Sequence, residues 1–481
     1  MGEGYLWYGA QRVMLGEVPM RDFMSYDPGR YYWSATIMRL WGDNGIMTLR
    51  ASVAIFQAIG LFVGLLLIAR TVKKQNFFYL LLSAITLVVW MFPRHKLFDI
   101  SLSILLIAVL TYLIQNPTGR RYFFTGLCVG LVAIFGRNHG MYGVVSSIGV
   151  ILWLSIKRVD GSGFIKGFSL WAVGVAAGFA PLLLMTLLIP GFAIAFWESI
   201  TFLFEVKTTN LPLPIPWPWQ VSFASVPLGE AIRDVLVGLF FIAILVFGVL
   251  SIIWVVWQKF RNKHVSPVLV AASFLALPYA HYAYSRADVG HLAHGIFPLL
   301  IGCLVLMATQ PDKIKWSLEI MLCGASRWVM HVFHPGWQCY DSKQCVNVEI
   351  SGDNLLVDSS TAQDVGLLRK LADQYAPNGQ SIIATPFWPG AYAMLERKSP
   401  MSDIYALFSR SQVFEQAEIE RIKLVSPSFA LVLDFPLDGR DELRFRNTHP
   451  LIYQYILDHF ERLPDSPNPA YQIYRAKRKT Q

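Results

Sequence analysis

The acidic, basic and histidine side chains that could carry chemistry lie at the ends of hydrophobic segments and are almost absent inside them. They come from at least five separate stretches of the chain. The set comprises Glu3, Glu17, Asp22, Asp27, Arg30, Arg94, His95, Lys96, Asp99, Arg137, Asn138, His139, Arg286, Asp288 and His291. Pumps and ion-coupled transporters keep charged groups at membrane depth. This distribution instead favours a site at one surface of a membrane.

Such a mixture of carboxylates and cations suits group transfer. A carboxylate within hydrogen-bond reach of a hydroxyl can act as a general base, and Arg or Lys can stabilise the charge on a phosphate leaving group. Together they suit transfer of a sugar from a polyprenyl phosphate to an acceptor hydroxyl or amine. A lipid-linked donor would explain an outward-facing site, where no nucleotide-sugar is available.

Membrane-spanning helices must position these groups. Hydrophobic residues make up 54% of the 481 residues and charged residues only 15%, whereas about 25% of residues are charged in soluble domains. Ten hydrophobic runs approach the roughly 20 residues that cross a bilayer, the weakest being the last, with Glu319 and Arg327. The runs are Ser52–Ala69, Asn76–Phe92, Ile100–Gln115, Tyr122–Gly136, Met141–Ile156, Phe168–Trp197, Val235–Trp257, Pro267–Ser285, His291–Gln310 and Trp316–Phe333. The sequence therefore predicts a multi-spanning α-helical membrane protein of about ten transmembrane helices.

The loops between the runs predict the topology. Five alternate loops carry thirteen basic residues, and the intervening short loops carry six. The thirteen are Arg70, Lys73, Lys74, Arg120, Arg121, Lys157, Arg158, Lys166, Lys259, Arg261, Lys263, Lys313 and Lys315. The positive-inside rule places them in the cytoplasm and the candidate site outside. This placement also explains the net charge of +9 without a nucleic-acid partner.

Residues 1–50 are predicted to form the first external loop, which Gly and Pro divide into short helices and turns. Neither a hydrophobic helix nor a signal peptide precedes this loop. We therefore expect that a first transmembrane helix is missing from the sequence.

From about His334 the composition changes to that of a soluble α/β domain, predicted at 334–481 and extracytoplasmic. The predicted strands are Ser381–Thr385, Phe429–Asp434 and Tyr471–Arg475, and the predicted helices are Thr361–Tyr375, Gln412–Leu424 and Pro450–Leu463. No Gly-rich phosphate loop is present, so we expect no nucleotide binding there.

Two further segments carry predictions of their own. Cys339 and Cys345 are expected to form a disulfide bond in an oxidising compartment, with two free thiols as the alternative. The stretch Leu211–Trp219 contains four prolines and is expected to be extended and stiff. It would lie along the membrane interface near a lipid portal, or serve only as a spacer.

The opening Glu3-Gly-Tyr5, the segment Gly16-Glu-Val-Pro-Met-Arg-Asp-Phe23 and the segment Asp27-Pro-Gly-Arg-Tyr-Tyr32 resemble the first external loop of C-type glycosyltransferases. These include protein O-mannosyltransferases and lipid A aminoarabinose transferases. The resemblance extends to the layout of membrane helices, acidic external loops and a C-terminal periplasmic domain. In such families an acidic pair follows the first helix. Glu3 matches its second member, whereas Gly2 stands at the first position.

The resemblance implies roles for the charged groups. Glu3, Asp22 and Asp99 would be catalytic, one of them as the general base. The substrate-binding residues would be Asp27, Arg30, Arg94, Lys96, Arg137, His139, Arg286, Asp288 and His291. The acids could jointly hold a divalent metal, but no ligand spacing requires one, and we assign no metal ligand.

Each assignment has a structural alternative. Glu3 and Asp22 could be solvated loop charges, Asp27 could start the Asp-Pro-Gly turn, and Asp99 could cap a helix. The long cations could extend to the interface without binding a ligand, and the histidines could cap or pack at helix ends.

The resemblance implies an enzyme of the bacterial inner membrane with its site and C-terminal domain facing the periplasm. It would move a hexosyl or pentosyl group, with inversion, from a polyprenyl-phosphate carrier to a glycan, lipid or protein acceptor. Two alternatives remain open: a transporter or flippase of lipid-linked saccharides, and an oligosaccharide ligase or polymerase with a pyrophosphate-linked donor.

Overall fold

A computed structural model describes residues 2–72, 76–156, 161–207, 210–334, 339–340, 344–464, 466 and 468–477. The loop residues Lys73, Lys74, Lys157 and Arg158, which enter the topology prediction, lie outside the described residues. The chain divides into two compact units. The helical unit comprises Val53–Ala193 and Ile200–Gln338, and the mixed unit comprises Met1–Ser52, Ile194–Ser199 and Cys339–Gln481.

Fourteen helices precede the first strand in the described part of the chain. They are α1 (Gly2–Met14), α2 (Pro28–Trp41), α3 (Ile46–Ala69), α4 (Phe77–Val89), α5 (Leu97–Gln115), α6 (Gly119–Phe135), α7 (Arg137–Ser155), α8 (Gly161–Leu188), α9 (Phe192–Val206), α10 (Leu228–Phe260), α11 (Pro267–Ser285), α12 (Val289–Gly295), α13 (Phe297–Ala308) and α14 (Asp312–Met330). Short 3₁₀ turns at Arg94–Lys96 and Pro218–Gln220 precede α5 and α10.

Every predicted hydrophobic run is helical over most of its length. Among the described residues, four helices are long and apolar enough to cross a membrane: α3, α5 with its preceding turn, α8 and α10. The pair α12 and α13, bent by 55°, could form a fifth span. The protein is thus an α-helical integral membrane protein. The other runs form helices that are shorter or less apolar, so the count of about ten crossings stays a prediction.

Glycine permits unusually close packing of α6 against α8. A Cβ atom on Gly126 would lie 2.0 Å from the carbonyl oxygen of Trp171, and one on Gly178 would lie 2.1 Å from that of Leu127. Gly130 and Gly174 face equally close backbone atoms. Each helix thus carries two glycines four residues apart, the small-residue pattern that lets membrane helices approach each other.

Polar side chains inside the bundle find partners between helices. Ser83 of α4 donates a hydrogen bond to Glu319 of α14 at 3.0 Å, and the Tyr79 hydroxyl donates to the carbonyl of Leu304 at 2.6 Å. Glu319 is fully buried. The charge that made the last hydrophobic run the weakest candidate therefore serves a contact between two helices.

The mixed unit is built on a four-stranded sheet. Its strands are β3 (Ile383–Thr385), β4 (Phe429–Leu433), β5 (Phe460–Arg462) and β6 (Tyr471–Ala476), in the order β3-β4-β6-β5. β3 is parallel to β4, and β6 is antiparallel to both β4 and β5. A separate antiparallel hairpin joins β1 (Cys345–Ile350) to β2 (Asp353–Asp358). The helices are α15 (Ser359–Tyr375), α16 (Pro389–Met394), α17 (Gln412–Val425), α18 (Phe445–Thr448) and α19 (Pro450–His459).

The predicted strands and helices of the C-terminal region are present with small shifts of their bounds and one larger difference. The helix predicted at Pro450–Leu463 ends at His459, and Phe460 begins β5 instead. Phe460 is buried in the core that includes Ile456 and Tyr474, and its backbone pairs with Ala476. Pairing with β6 therefore overrides the helical pattern at this point. The hairpin of β1 and β2 was not predicted.

The first residues of the chain pack within the mixed unit. A Cβ atom on Gly4 would lie 2.6 Å from the Cα atom of Gly390, so α1 and α16 meet backbone to backbone. The buried Tyr8 hydroxyl accepts a hydrogen bond from the Ser399 amide at 3.0 Å. Where the sequence predicts a separate domain at 334–481, the mixed unit contains the first fifty-two residues as well.

Candidate active site

A buried carboxylate–imidazole pair lies in the helical unit between α5, α7 and α11. Oδ1 of Asp99 is 2.9 Å from Nε2 of His139, and Nδ1 of His139 is 2.9 Å from the hydroxyl of Tyr279. Lys96 approaches the other carboxylate oxygen at 3.6 Å. Asp99, His139 and Tyr279 are each at most 2% exposed. We call Asp99 and His139 the buried pair.

Local sequence explains how these side chains come together. Asp99 lies in the first turn of α5, directly after the turn Arg94–Lys96. Gly136 is extended and separates α6 from α7, so that Arg137 and His139 fall in the first turn of α7. Arg94 is exposed and Arg137 is half-buried. The structure thus places the predicted cations at the same helix ends as the buried pair.

A second carboxylate–imidazole pair lies between α11 and α12. Asp288 caps α12: its Oδ1 accepts the backbone amide of His291 at 2.8 Å and lies 2.8 Å from Nδ1 of the same histidine. Nε of Arg286 donates to Oδ2 at 2.8 Å. Burial by itself would raise the pKa of Asp288, but the bonds from His291 and Arg286 outweigh it and lower that pKa below its usual value. We call Asp288 and His291 the accessible pair, because one third of the Asp288 side chain is exposed.

Aromatic rings link the two pairs. The ring of Tyr282 lies 5.5 Å from that of His139 and 5.8 Å from that of His291. It also lies 5.5 Å from His294. His294 is 2% exposed, and neither of its ring nitrogens has a hydrogen-bond partner among the described residues.

Sequence reasoning missed Tyr279, Tyr282 and His294. The sequence does contain a signal for them. Tyr279 and Tyr282 are three residues apart, as are His291 and His294, so each pair shares a helix face. Inside hydrophobic runs, however, Tyr and His are also common packing residues, and nothing in the sequence alone separates these two roles.

The predicted acids of the first loop lie in the mixed unit, each with its own arginine. Both carboxylate oxygens of Glu3 accept hydrogen bonds from Arg50, at 2.7 and 2.8 Å. Asp22 binds Arg21 through both oxygens and also accepts the Val18 amide at 2.7 Å. The hydrogen bond from Arg21 lowers the pKa of Asp22. Convergence of these acids with the basic groups of the helical unit stays a prediction.

Asp27 and Arg30 belong to the first turn of α2 and are both buried. Asp27 precedes Pro28 in an extended conformation and occupies the position that starts the helix, but its side chain forms no capping bond there. The guanidinium of Arg30 lies 4.7 Å from the ring centre of Tyr26. The Asp-Pro-Gly segment therefore begins a helix, whereas the structural alternative predicted from the sequence was a turn.

Two smaller predictions concern metal and cysteine. Across the described ranges, no group of three or more His, Cys, Asp or Glu side chains is arranged to hold a metal ion. Cys339 and Cys345, whose pairing the sequence predicts, form a disulfide bond in the mixed unit with Cα atoms 5.6 Å apart.

No family model matches the sequence, and no curated protein matches it. The structure is similar to that of ArnT from Cupriavidus metallidurans bound to undecaprenyl phosphate, with a TM-score of 0.58 and 11% identity over 100% of this chain and 94% of that one. The structure of the same protein in the apo state gives a TM-score of 0.55 and 11% identity, over 98% of this chain and 92% of that one. An oligosaccharyltransferase from Archaeoglobus fulgidus in the apo form gives a TM-score of 0.45 and 11% identity, over 99% of this chain and 71% of that one.

The chain has the fold of the C-type glycosyltransferases. The C-type fold suggested by the first-loop residues is thereby confirmed. At 11% identity the similarity to ArnT extends to the fold alone. The roles of individual residues therefore depend on the geometry of this chain.

Proposed function

We propose that this protein transfers a sugar from a polyprenyl-phosphate carrier to an acceptor hydroxyl or amine on the extracytoplasmic face of a bacterial inner membrane. The observation that carries the proposal is the cluster of two carboxylate–imidazole pairs with Lys96 and Arg286 at one end of the helical unit. The C-type glycosyltransferase fold supports it, and the similar ArnT structure contains undecaprenyl phosphate. The sugar would be a hexosyl or pentosyl group.

The reaction would be a single displacement at the anomeric carbon, with inversion. The acceptor oxygen or nitrogen forms a bond to that carbon while the bond to the phosphate oxygen breaks. The proton of the acceptor passes to a protein base. The released polyprenyl phosphate carries the negative charge, which Lys96, Arg94, Arg137 and Arg286 would stabilise.

Of the three acids predicted to be catalytic, Asp99 has the partners that best suit a role in proton transfer. Glu3 and Asp22 each bind an arginine through both oxygens. An arginine bound to a carboxylate favours its charged form, and the hydrogen bond from Arg21 lowers the pKa of Asp22. Asp99 lies beside the imidazole of His139, the side-chain type that most often acts as an acid or base in enzymes, and His139 contacts Tyr279. The accessible pair places a second imidazole next to solvent, beside an Asp288 that Arg286 also holds.

Polyprenyl-phosphate sugar with a radiolabelled hexose or pentose tests the proposal directly, with transfer to membrane acceptors as the readout. Loss of a general base lowers turnover by about 10²–10⁴-fold, and we expect losses in this range for Asp99→Asn or Asp288→Asn. Glu461→Gln is the matched control, because it removes a carboxylate from an exposed ion pair with Arg475. Wild-type turnover in both aspartate variants would refute the proposed site.

One feature favours the alternative of a flippase for lipid-linked saccharides. The 55° bend between α12 and α13 interrupts a hydrophobic run, as do the broken helices of many transporters. Sealed vesicles that move a labelled lipid-linked saccharide across the bilayer without forming a covalent product would decide for it. A pyrophosphate-linked donor in place of a monophosphate would indicate a ligase or polymerase.

A further inference from the structure

A cavity of about 770 Å³ lies in the helical unit beside the accessible pair. Its walls include Trp217, Gln220 and Ser222 of the loop that precedes α10, Arg233 and Asp234 of α10, and Asp288. The volume is within the ~300–1,000 Å³ typical of small-molecule sites. Only Asp288 belongs to the candidate active site described above.

The first part of the loop that forms one wall is fixed at two points. Nδ2 of Asn210 donates to Oγ of Ser285 at 2.7 Å, and Arg286 donates to the carbonyl of Leu211 at 3.0 Å. At the other end, a Cβ atom on Gly238 would lie 2.5 Å from the carbonyl oxygen of Pro216, so the loop rests directly on α10. Pro212 and Pro214 lie between these anchors and restrict the backbone there. The segment that leads to Trp217 is therefore held in place by α10 and by the end of α11.

Trp217 contributes an aromatic ring to this wall. Its ring stacks on that of Trp219, with centroids 5.1 Å apart and an interplanar angle of 8°. The C–H bonds on one face of a pyranose are apolar and pack well against the electron-rich face of an indole. Gln220 and Ser222 supply amide and hydroxyl groups beside it, which can both donate and accept hydrogen bonds.

The charged groups on the cavity walls each already have a partner of opposite charge. Asp234, Asp288 and Arg233 are the charged side chains among the described lining residues, and Asp288 also accepts a hydrogen bond from Arg286 at 2.8 Å. Arg233 already lies 3.7 Å from Asp234. Two carboxylates and two cations thus balance each other, so the described lining offers no excess positive charge to a phosphate or a fatty acid. Uncharged hydroxyl groups can instead donate to the carboxylates and accept from the guanidinium.

We propose that this cavity binds the saccharide portion of the acceptor, with a pyranose ring stacked on Trp217. Saccharide binding follows from the lining alone, and the description of that saccharide as the acceptor rests on the proposed function. Asp288 lines the cavity and also holds His291. A hydroxyl of the bound sugar would therefore lie beside the accessible pair, which can receive its proton when the new glycosidic bond forms.

Binding is measured with the full-length protein in lipid nanodiscs, using saturation-transfer NMR with maltotriose, chitotriose and mannotriose. We expect at least one trisaccharide to bind the wild type. Trp217→Ala should weaken that binding at least tenfold, and Ser222→Trp should do the same by filling the cavity from an exposed position. Phe223→Ala is the matched control: Phe223 is an exposed aromatic residue of the same loop that does not line the cavity, and we expect less than a twofold change.

Several results would overturn the saccharide site. They are no transfer of saturation to any of the three sugars, equal affinities in the wild type and both cavity variants, and binding of decanoate or inorganic phosphate in the cavity in place of a sugar. If sugar binding depends on Trp217 but no glycosyl transfer is detected, the saccharide site is supported and the proposed function is refuted. If glycosyl transfer occurs but Ser222→Trp leaves the KM for the acceptor unchanged, the proposed function is supported and the acceptor site is refuted.

Discussion

Replacing Gly130 by alanine is expected to push α6 and α8 apart and to destabilise the helical unit. An added Cβ atom would lie 2.3 Å from the carbonyl oxygen of Val175 and 2.7 Å from the amide nitrogen of Phe179, whereas ordinary contacts begin at 3.4 Å. Both neighbours are backbone atoms, so no side chain can rotate away. The difference between 3.4 and 2.3 Å means that the helices must separate locally by about 1 Å.

The energetic cost follows from this displacement. Overpacking of a well-packed site costs about 1–3 kcal/mol, and the higher helix propensity of alanine returns up to about 1 kcal/mol. We expect a net loss of roughly 1–2 kcal/mol. At about 2–4 °C per kcal/mol for a unit of this size, the melting temperature should fall by roughly 2–8 °C.

Free cysteines of the helical unit provide the assay. Cys128, Cys303 and Cys323 are half-buried or buried, and a thiol-reactive dye reports their exposure as the detergent-purified protein is heated. Gly324→Ala is the control, because nothing lies within 4 Å of a Cβ atom there and α14 can only gain helix propensity. A Gly130→Ala variant that melts at the same temperature as Gly324→Ala or above it would refute the packing explanation.

Two further predictions concern the mixed unit. Asp358 caps α15, and although partial burial opposes it, hydrogen bonds from Ser360 and Thr361 lower its pKa to about 2. Its contribution should be fully present above the unfolded value near pH 3.8 and be lost as the pH falls toward 2, so Asp358→Ala should cost about 1 kcal/mol at neutral pH and little at pH 2 in denaturant unfolding. Tyr8→Phe removes the hydroxyl that accepts from the Ser399 amide and should cost about 1–3 kcal/mol, because it leaves a buried donor unpaired. Equal unfolding midpoints for wild type and Tyr8→Phe would contradict this.

The helices could be predicted because hydropathy and helix length are local properties of the chain. Each hydrophobic run became helical, and residues such as Asn76, which caps α4 through the amides of Phe78 and Tyr79, show why the ends fall where they do. The glycines of α6 and α8 lie four residues apart in the sequence, but no prediction was drawn from them. Such a pattern indicates close helix packing without showing which helix is the partner.

Nonlocal contacts explain where sequence reasoning fell short. The end of α19 depends on pairing between Phe460 and Ala476, which no local propensity encodes. Likewise, Arg50 was outside every predicted set, yet it binds Glu3 across 47 residues of chain. Asp99 and His139 were predicted from their positions at helix ends, but their direct contact depends on how α5 and α7 pack.

The side chains that bind each acid indicate which of the acids can take part in proton transfer. In the mixed unit, Glu3 and Asp22 are each held by an arginine through both oxygens. In the helical unit, Asp99 and Asp288 each lie beside a histidine, the side chain that most often transfers protons in enzymes, and Asp288 also accepts a hydrogen bond from Arg286. Proton transfer during glycosyl transfer needs the second kind of partner. We therefore infer that the proton of the acceptor is handled in the helical unit, by the buried pair or by the accessible pair that borders the saccharide cavity.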